Sequence, residues 1–170
     1  MTRTMTRFLT TLAAGLLVAL SLSACGQSKE AIANMDAAKT FMANNAKAEG
    51  VKTLPSGVQY KIVTSGPADG TSPKKSDEVK VHYEGKLLSD EIFDSSFQRG
   101  APATFPLAGL IPAWVEALQQ MKPGDEWLLY VPPEQGYGAQ GAGPIPPNSV
   151  LIFRIQLIAF RERAMAPTGG

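Results

Sequence analysis

The sequence of 170 residues contains one cysteine, Cys25, and one histidine, His82. A lone cysteine cannot form an internal disulfide. A lone histidine gives no basis for a Ser-His-Asp triad or for a His/Cys cluster with the spacing of metal ligands. A glycine-rich phosphate loop is also lacking. We therefore expect a protein that uses neither a metal nor a cofactor.

An excess of charge of either sign is lacking as well. Removing Arg3 and Arg7 with an N-terminal signal leaves 14 of the 16 basic residues against 15 acidic ones. Proteins that bind nucleic acid usually carry a basic surface, which a net charge near −1 does not provide. We expect no nucleic-acid partner.

The apolar run "FLTTLAAGLLVALSLSA", residues 8–24, is too short and too weakly flanked to indicate a membrane-spanning helix. It follows a positively charged start that contains Arg3 and Arg7, and this order is typical of a secretory signal peptide. Residues 1–24 are therefore predicted to be a signal peptide rather than part of the fold.

Cys25 directly follows small residues in "LSAC", which resembles the lipobox of bacterial lipoproteins. In such proteins the cysteine thiol is diacylated and the cysteine becomes the N-terminus. The alternative is an ordinary signal peptide followed by an incidental cysteine. We predict lipidation at Cys25, because a lone exported cysteine has no disulfide partner within the chain.

Residues 25–54 are predicted to form a lipidated N-terminal tether that contains a short helix. Gly50 and Pro55 would end this helix. It serves either as a loose tether or as a small docking helix, and its apolar stripe could also support a weak dimer. Apolar residues recur at helical spacing at Ile32, Met35, Ala38, Phe41 and Met42.

Residues 55–162 change to a pattern of strands and turns and are predicted to form one domain, followed by a flexible tail over residues 163–170. Val79, Val81 and Tyr83 alternate with polar neighbours, which predicts a strand with Tyr83 pointing inward and His82 outward. The same alternation occurs at Val58, Tyr60 and Ile62, and again at Leu151, Phe153, Ile155 and Leu157.

One segment of this domain, "LIPAWVEALQQMKPGDE", predicts a helix. Pro112 suits the first turn, and residues 122–124 would end it. "APATFPLAG" holds two prolines and indicates a short edge strand. The fold class is therefore α+β, an antiparallel sheet packed on one central helix. The apolar face of the helix is predicted to comprise Trp114, Val115, Leu118 and Met121.

Two further stretches are candidates for a functional site. "IFDSSFQRG", residues 92–100, places Asp94 after an aromatic residue, and it is either a capped turn or one wall of a site. "PEQGYGAQGAGPIPPNS" is rich in glycine and proline and nearly free of charge, which predicts a loop. Tyr137 and Ile145 stand out in this loop, because functional residues concentrate on such segments.

The ordered blocks "VHYEG", "FDSS", "GLIPAW", "GYGAQG", "IPPNS" and "LIF" resemble the FKBP-type peptidyl-prolyl cis-trans isomerases, roughly over residues 55–160. The lipobox, the short helix and "GVKTLPSGVQYKIV" resemble exported bacterial members of that family. The resemblance implies a half-wrapped antiparallel sheet whose helix closes an apolar pocket. Members of the macrophage-infectivity-potentiator type carry a longer helical dimerisation domain, of which this chain has room for a remnant.

By motif position, the resemblance implies that Trp114 forms the pocket floor and Asp94 lies at the rim, where it could orient Tyr137 and Arg99. The Tyr137 hydroxyl and the Ile111 backbone N–H would supply polar contacts. The implied catalytic residues are Phe93, Asp94 and Tyr137, and the implied substrate-binding residues are Tyr83, Phe105, Leu110, Ile111, Trp114, Ile145 and Phe153. Without the resemblance, four of the aromatic residues would be interpreted as ordinary core: Tyr83, Phe105, Trp114 and Phe153.

Two departures from the family pattern bear on this pocket. Ala103 stands where some members have a further aromatic residue, so a wider or less apolar pocket is expected there. Ala142 and Gly143 follow Tyr137 and are small enough to weaken one substrate contact.

The implied activity is rotation of X–Pro bonds in exported polypeptides, with rapamycin or tacrolimus as expected inhibitors. One alternative is an FKBP-like chaperone with weak or no isomerase activity, and another is a structural lipoprotein without a ligand. The resemblance also suggests a lipid anchor in the outer membrane facing the periplasm, if the cell is Gram-negative. We expect a monomer or a weak dimer.

Overall fold

A computed structural model describes residues 28–162, so the predicted signal peptide, Cys25 and the predicted tail lie outside the described residues. Among residues 28–162, no helix combines the length and apolar character that crossing a membrane requires. The elements are helices α1 (Lys29–Asn45) and α2 (Pro112–Leu118) and strands β1 (Val51–Thr53), β2 (Gln59–Thr64), β3 (Glu78–Lys86), β4 (Ile92–Ser95), β5 (Ala103–Pro106), β6 (Glu126–Val131) and β7 (Leu151–Arg161).

All seven strands belong to one antiparallel sheet, with the order β1-β2-β6-β7-β3-β4 and with β5 paired to β3. The predicted α+β class is confirmed. Strand β1 already pairs with β2, so the sheet begins inside the segment assigned to the tether. Val79, Val81 and Tyr83 are buried, whereas His82 is half-buried on the other face, as their alternation predicted.

Helix α2 packs its buried residues against the apolar face of the sheet. It begins at Pro112, where the fixed backbone angle of proline suits the first turn. It ends at Leu118, before residues 122–124, so the predicted C-terminus was wrong. Its buried residues are Ala113, Trp114, Ala117 and Leu118, which share one arc of the helix, and Val115 is half-buried because it lies beyond the edge of that arc.

The alternation around β2 predicted that Val58, Tyr60 and Ile62 point inward. Val58, just before the strand, is buried and Tyr60 is half-buried, but Ile62 is exposed. On the opposite face Gln59 is only 4% exposed, because α1 covers that side of the sheet. The Gln59 Nε2 donates to the Met42 carbonyl at 2.8 Å, and its Oε1 accepts from the Asn45 Nδ2 at 2.8 Å. A polar side chain is therefore buried here with its hydrogen bonds satisfied.

Helix α1 is a docking helix rather than a loose tether. The Ser28 hydroxyl caps its first turn by accepting from the Ala31 N–H, and the helix ends at Asn45, before Gly50. Phe41 packs against Tyr130 of β6 with the ring centroids 6.0 Å apart. Ala31 and Ala38 are buried against the domain, whereas Ile32, part of the predicted stripe, is exposed.

Two isoleucines of β7 test which face of the sheet forms the core. Ile155 is 0% exposed and Ile158 is 40% exposed. We expect Ile155→Ala to lower the free energy of unfolding by about 2–5 kcal/mol, from lost burial and the cavity left behind. Ile158→Ala, the matched control, should change it by less than about 1 kcal/mol. Urea denaturation measures both, and equal losses would contradict this assignment of the core.

Candidate active site

A cavity of about 450 Å³ opens between the sheet and the start of α2. Its volume falls in the usual range for small-molecule sites. All ten residues that the sequence pattern assigned to the site line it: Tyr83, Phe93, Asp94, Phe105, Leu110, Ile111, Trp114, Tyr137, Ile145 and Phe153. Ala142, Gly143 and Pro144 complete the lining, and the sequence interpretation missed Pro144.

The aromatic walls of the cavity pack edge to face around Trp114. The Trp114 ring lies 5.2 Å from the Tyr83 ring at 82°, and 5.2 Å from the Phe153 ring at 85°. Phe93 meets Phe153 at 5.7 Å and 87°. The negative face of one ring attracts the positive edge of the next, so these contacts fix ring orientation as well as fill space.

Gly85 makes the closure of these walls sterically feasible. A Cβ atom at this position would lie 2.6 Å from the Phe93 ring and 2.7 Å from the Phe153 ring, closer than the rings can approach a methyl group. The sequence interpretation missed Gly85, although a glycine inside a strand pattern is itself a signal of close approach. The final residue of the "VHYEG" block therefore shapes the cavity without lining it.

The polar rim consists of Asp94, Arg99 and Tyr83. The Asp94 carboxylate accepts from the Tyr83 hydroxyl and from the Arg99 guanidinium. The Arg99 Nη2 also donates to the Tyr83 Oη at 2.9 Å, and the guanidinium lies 5.5 Å from the centre of the Tyr83 ring. Asp94 thus pairs with Arg99 as suggested, but its phenolic partner is Tyr83 and not Tyr137.

These hydrogen bonds shift the pKa values at the rim. Partial burial tends to raise the pKa of Asp94, but the hydrogen bonds from Tyr83 and Arg99 and the positive charge of Arg99 outweigh burial and hold it below its usual value. Burial, followed by the hydrogen bond to the Asp94 carboxylate, raises the pKa of Tyr83. At neutral pH the rim therefore holds a carboxylate and a neutral phenol.

The stretch "IFDSSFQRG" is both a site wall and a turn. Phe93 and Asp94 lie in β4, and the turn follows them, with the Ser95 Oγ accepting from the Gln98 N–H at 3.3 Å. Ser96 is buried, and its Oγ accepts from the Tyr83 backbone N–H at 2.7 Å. Ser96 therefore ties the turn to the strand that carries Tyr83, a role that the sequence interpretation missed.

The loop between β6 and β7 supplies the last wall. Tyr137 is 40% exposed at the mouth, and Ala142 and Ile145 exchange two backbone hydrogen bonds of 3.0 and 2.9 Å. The loop contains two short 3₁₀ turns, Pro133–Gln135 and Gly138–Gln140.

Ala103 does not line the cavity. It lies on β5, opposite Val81 of β3, and packs against the core. No side chain from position 103 therefore lines the cavity, and the expectation of a wider or less apolar pocket there stays a prediction.

The fold and the cavity define an α+β domain with an apolar cavity of a size suited to a small group and with polar groups at one rim. In the part of the chain that the structure describes, no group of three His, Cys, Asp or Glu side chains is placed to hold a metal ion. The Ile111 backbone N–H makes none of the hydrogen bonds found among residues 28–162, so it is available to a ligand.

Comparison with known families identifies this class. Residues 70–158 match the family model for the FKBP-type peptidyl-prolyl cis-trans isomerase, and residues 10–62 match the model for the domain amino terminal to it. The chain therefore belongs to the FKBP-type peptidyl-prolyl cis-trans isomerase family.

Individual relatives support this membership. The chain is 49% identical over 131 residues to the peptidyl-prolyl cis-trans isomerase Mip of Coxiella burnetii, covering 76% of this chain and 56% of the relative. It is 43% identical over 138 residues to the outer membrane protein MIP of Legionella longbeachae, covering 81% and 58%. The chain thus spans little more than half the length of these curated relatives.

A solved structure agrees with the fold. The crystal structure of a peptidyl-prolyl cis-trans isomerase from Pseudomonas syringae pv. tomato superimposes with a TM-score of 0.72 at 40% identity. The match covers 79% of this chain and 98% of that chain.

The hydrogen bonds at the rim predict that Arg99 lowers the pKa of Asp94. Arg99→Gln removes the positive charge, so the pKa of Asp94 should rise toward the ordinary value of about 3.9. Because the folded pKa is lowered, the ion pair stabilises the fold above that ordinary value, and this stabilisation is lost as the pH falls through the folded pKa. A carbon-13 NMR titration of the Asp94 carboxyl measures the shift.

The matched control is Arg154→Gln. Arg154 pairs with Glu126, whose pKa it lowers, outside the cavity. This change should raise the pKa of Glu126 and leave that of Asp94 in place. If Arg99→Gln left the Asp94 titration unchanged, the rim arrangement described above would be wrong.

Proposed function

We propose that the protein is a peptidyl-prolyl cis-trans isomerase that accelerates rotation about X–Pro bonds. The observation that carries this proposal is the convergence of five helices and strands and two loops on one aromatic cavity, whose lining includes Ile111 and Tyr137. Family membership supports it, as do the relatives from Coxiella burnetii and Pseudomonas syringae that are named as such isomerases.

The chemistry requires no covalent step. Rotation about an X–Pro bond is slow because amide resonance must be broken, at a barrier of about 18–20 kcal/mol. The planar amide is more polar than the twisted one, so a dry aromatic slot disfavours the ground state relative to the transition state. Acceleration by about five decades requires about 7 kcal/mol of differential binding.

Different parts of the cavity would contact the prolyl ring and the chain next to it. Trp114 and the rings beside it offer an apolar surface to a prolyl ring. The Ile111 N–H and the Tyr137 hydroxyl can donate to a carbonyl next to the rotating bond. Holding the ring while these donors fix the flanking chain lowers the cost of the twist.

Asp94 acts in this mechanism as a fixed charge rather than as an acid or base. Its carboxylate already accepts from Tyr83 and Arg99, and its lowered pKa keeps it ionised. It thereby holds the Tyr83 phenol at the rim and adds a negative potential at one end of the slot.

The substrates proposed are X–Pro segments of exported polypeptides, with the protein lipid-anchored through Cys25. The signal-like start of the sequence supports export, and the name of the Legionella longbeachae relative, an outer membrane protein, supports a membrane location. If the cell is Gram-negative, the anchor lies in the outer membrane facing the periplasm. The preformed apolar cavity also supports binding of macrolides such as rapamycin or tacrolimus.

The chaperone alternative drew its sequence support from Ala103, which was expected to weaken the pocket. Ala103 contributes no side chain to the cavity lining, so this alternative stays open. The presence of Phe93, Asp94, Trp114 and Tyr137 in the lining supports the isomerase function over it.

Three substitutions test the proposed function. Phe93→Ala, Asp94→Ala and Tyr137→Phe should each lower kcat/KM for a short X–Pro peptide. The first removes an aromatic wall, the second the fixed charge and the third a hydrogen-bond donor. Each should change the free energy of unfolding by about 1 kcal/mol, since these positions are partly open to solvent. A peptide isomerisation assay paired with thermal melting measures both effects.

Tyr130→Phe is the matched control for Tyr137→Phe. Tyr130 lies on β6 outside the cavity and contacts α1 through its ring, so loss of its hydroxyl should leave turnover unchanged. Full activity of the Asp94→Ala variant together with a strongly lowered melting temperature would make Asp94 a purely structural residue and would contradict its role here.

The anchor has its own test. Cys25→Ser should stall processing or release a soluble protein, because attachment would depend on acyl chains rather than on a protein span. Labelling with a fatty acid followed by membrane fractionation measures this. A Ser variant that stays in the membrane fraction as firmly as the parent would show that Cys25 is not the anchor.

A further inference from the structure

Residues 141–150 form a loop that faces the cavity on one side and helix α1 on the other. Ala142, Gly143, Pro144 and Ile145 line the cavity. The next residues, Pro146 to Ser149, turn away from it and run toward α1. The position of the last cavity wall therefore depends on what holds the far side of this loop.

Two side-chain amides join the loop to α1. The Asn34 Nδ2 on the helix donates to the Pro147 carbonyl at 2.8 Å. The Asn148 Nδ2 on the loop donates to the Ala31 carbonyl at 2.9 Å. The two bonds run in opposite directions across one contact, only two and three residues beyond Ile145.

Asn148 is built into this contact rather than placed on the surface. It is 1% exposed, so an amide without a partner would carry the cost of a buried unsatisfied group. Its φ is +57°, a left-handed conformation that asparagine tolerates better than most residues. Its backbone N–H donates to the Gly138 carbonyl at 2.9 Å, which ties the same residue to the 3₁₀ turn that precedes the loop.

The loop has few means of holding itself. Pro144, Pro146 and Pro147 have no backbone N–H, so their stretch cannot form a ladder of its own. Within the loop, Ala142 and Ile145 exchange backbone hydrogen bonds, and the Ser149 hydroxyl donates to the Pro146 carbonyl. The bonds that anchor the loop to the rest of the protein include the two to α1. Helix α1 is in turn fixed to the sheet through Gln59.

We propose that Asn34 and Asn148 are positioning residues for the cavity, and that α1 is a structural part of the substrate site. The helix sets the place of Ile145 and its neighbours through these two amides, although it contributes no residue to the cavity lining. The effect on turnover rests on the isomerase function proposed above, whereas the effect on loop order does not.

The test compares Asn34→Ala with Asn44→Ala in the full chain. Asn44 lies on the same helix and is exposed, so it is a matched control of the same residue type. Loss of the Asn34 bond should speed hydrogen exchange at the Ile145 amide by about threefold to tenfold, the effect of one ordinary hydrogen bond on local opening. Exchange at the Ile155 amide in β7 should match the control.

Turnover supplies the second measurement. Because substrate must order the freed loop, Asn34→Ala should raise KM for an X–Pro peptide by about threefold to tenfold and leave kcat near the parent value. Asn148→Gly should do the same, since glycine keeps the left-handed backbone and removes the side chain that carries the amide.

The outcomes separate this inference from the proposed function. A parent without isomerase activity, together with selective loss of protection at Ile145, would refute the proposed function and support the positioning role. Ile145 exchange in Asn34→Ala equal to that in Asn44→Ala would overturn the positioning role, whatever the turnover. Equal loss of protection at Ile145 and Ile155 would also overturn it, because the effect would then be on global stability.

Discussion

Trp114 packs edge-on against Tyr83 and Phe153, and the walls of the cavity are arranged around this contact. Helix α2 can bring the indole this deep because its other buried residues include two alanines, Ala113 and Ala117, which allow close approach to the sheet. The sheet and the first turn of the helix leave an opening between them. That opening is the cavity, so the core and the site are built from the same side chains.

The glycine at position 85 is the second constraint. It lets Phe93 of β4 and Phe153 of β7 meet across β3, since any larger residue would push the rings apart. The same strand positions the polar rim. Strand β4 places Asp94 beside the Tyr83 hydroxyl, and the turn after β4 brings Arg99 into hydrogen-bond contact with both groups. An ionised, doubly bonded carboxylate has little tendency to take up a proton, which agrees with a mechanism that proceeds by binding and desolvation alone.

The sequence allowed much of this to be predicted. The alternation along β3 and β7 identified the core face, and ordered motif blocks identified ten of the thirteen residues that line the cavity. The sequence did not show that Gln59 would be buried, because its environment is set by Met42 and Asn45 of α1, which reach it only when the helix docks. The alternation also did not show that Ile62, on the opposite face, would be exposed. The roles of Ser96, Asn34 and Asn148 depend on tertiary hydrogen bonds to backbone atoms, for which local residue patterns carry no signal.

The central claim is that this cavity lowers the barrier to X–Pro rotation by binding and desolvation, without moving a proton. The most direct measurement is the rate of cis-to-trans conversion of a short X–Pro peptide with and without the protein, in water and in deuterium oxide. Acceleration that saturates with peptide and has a solvent isotope effect near unity is the result this account predicts. No acceleration, or acceleration that slows markedly in deuterium oxide, would contradict it.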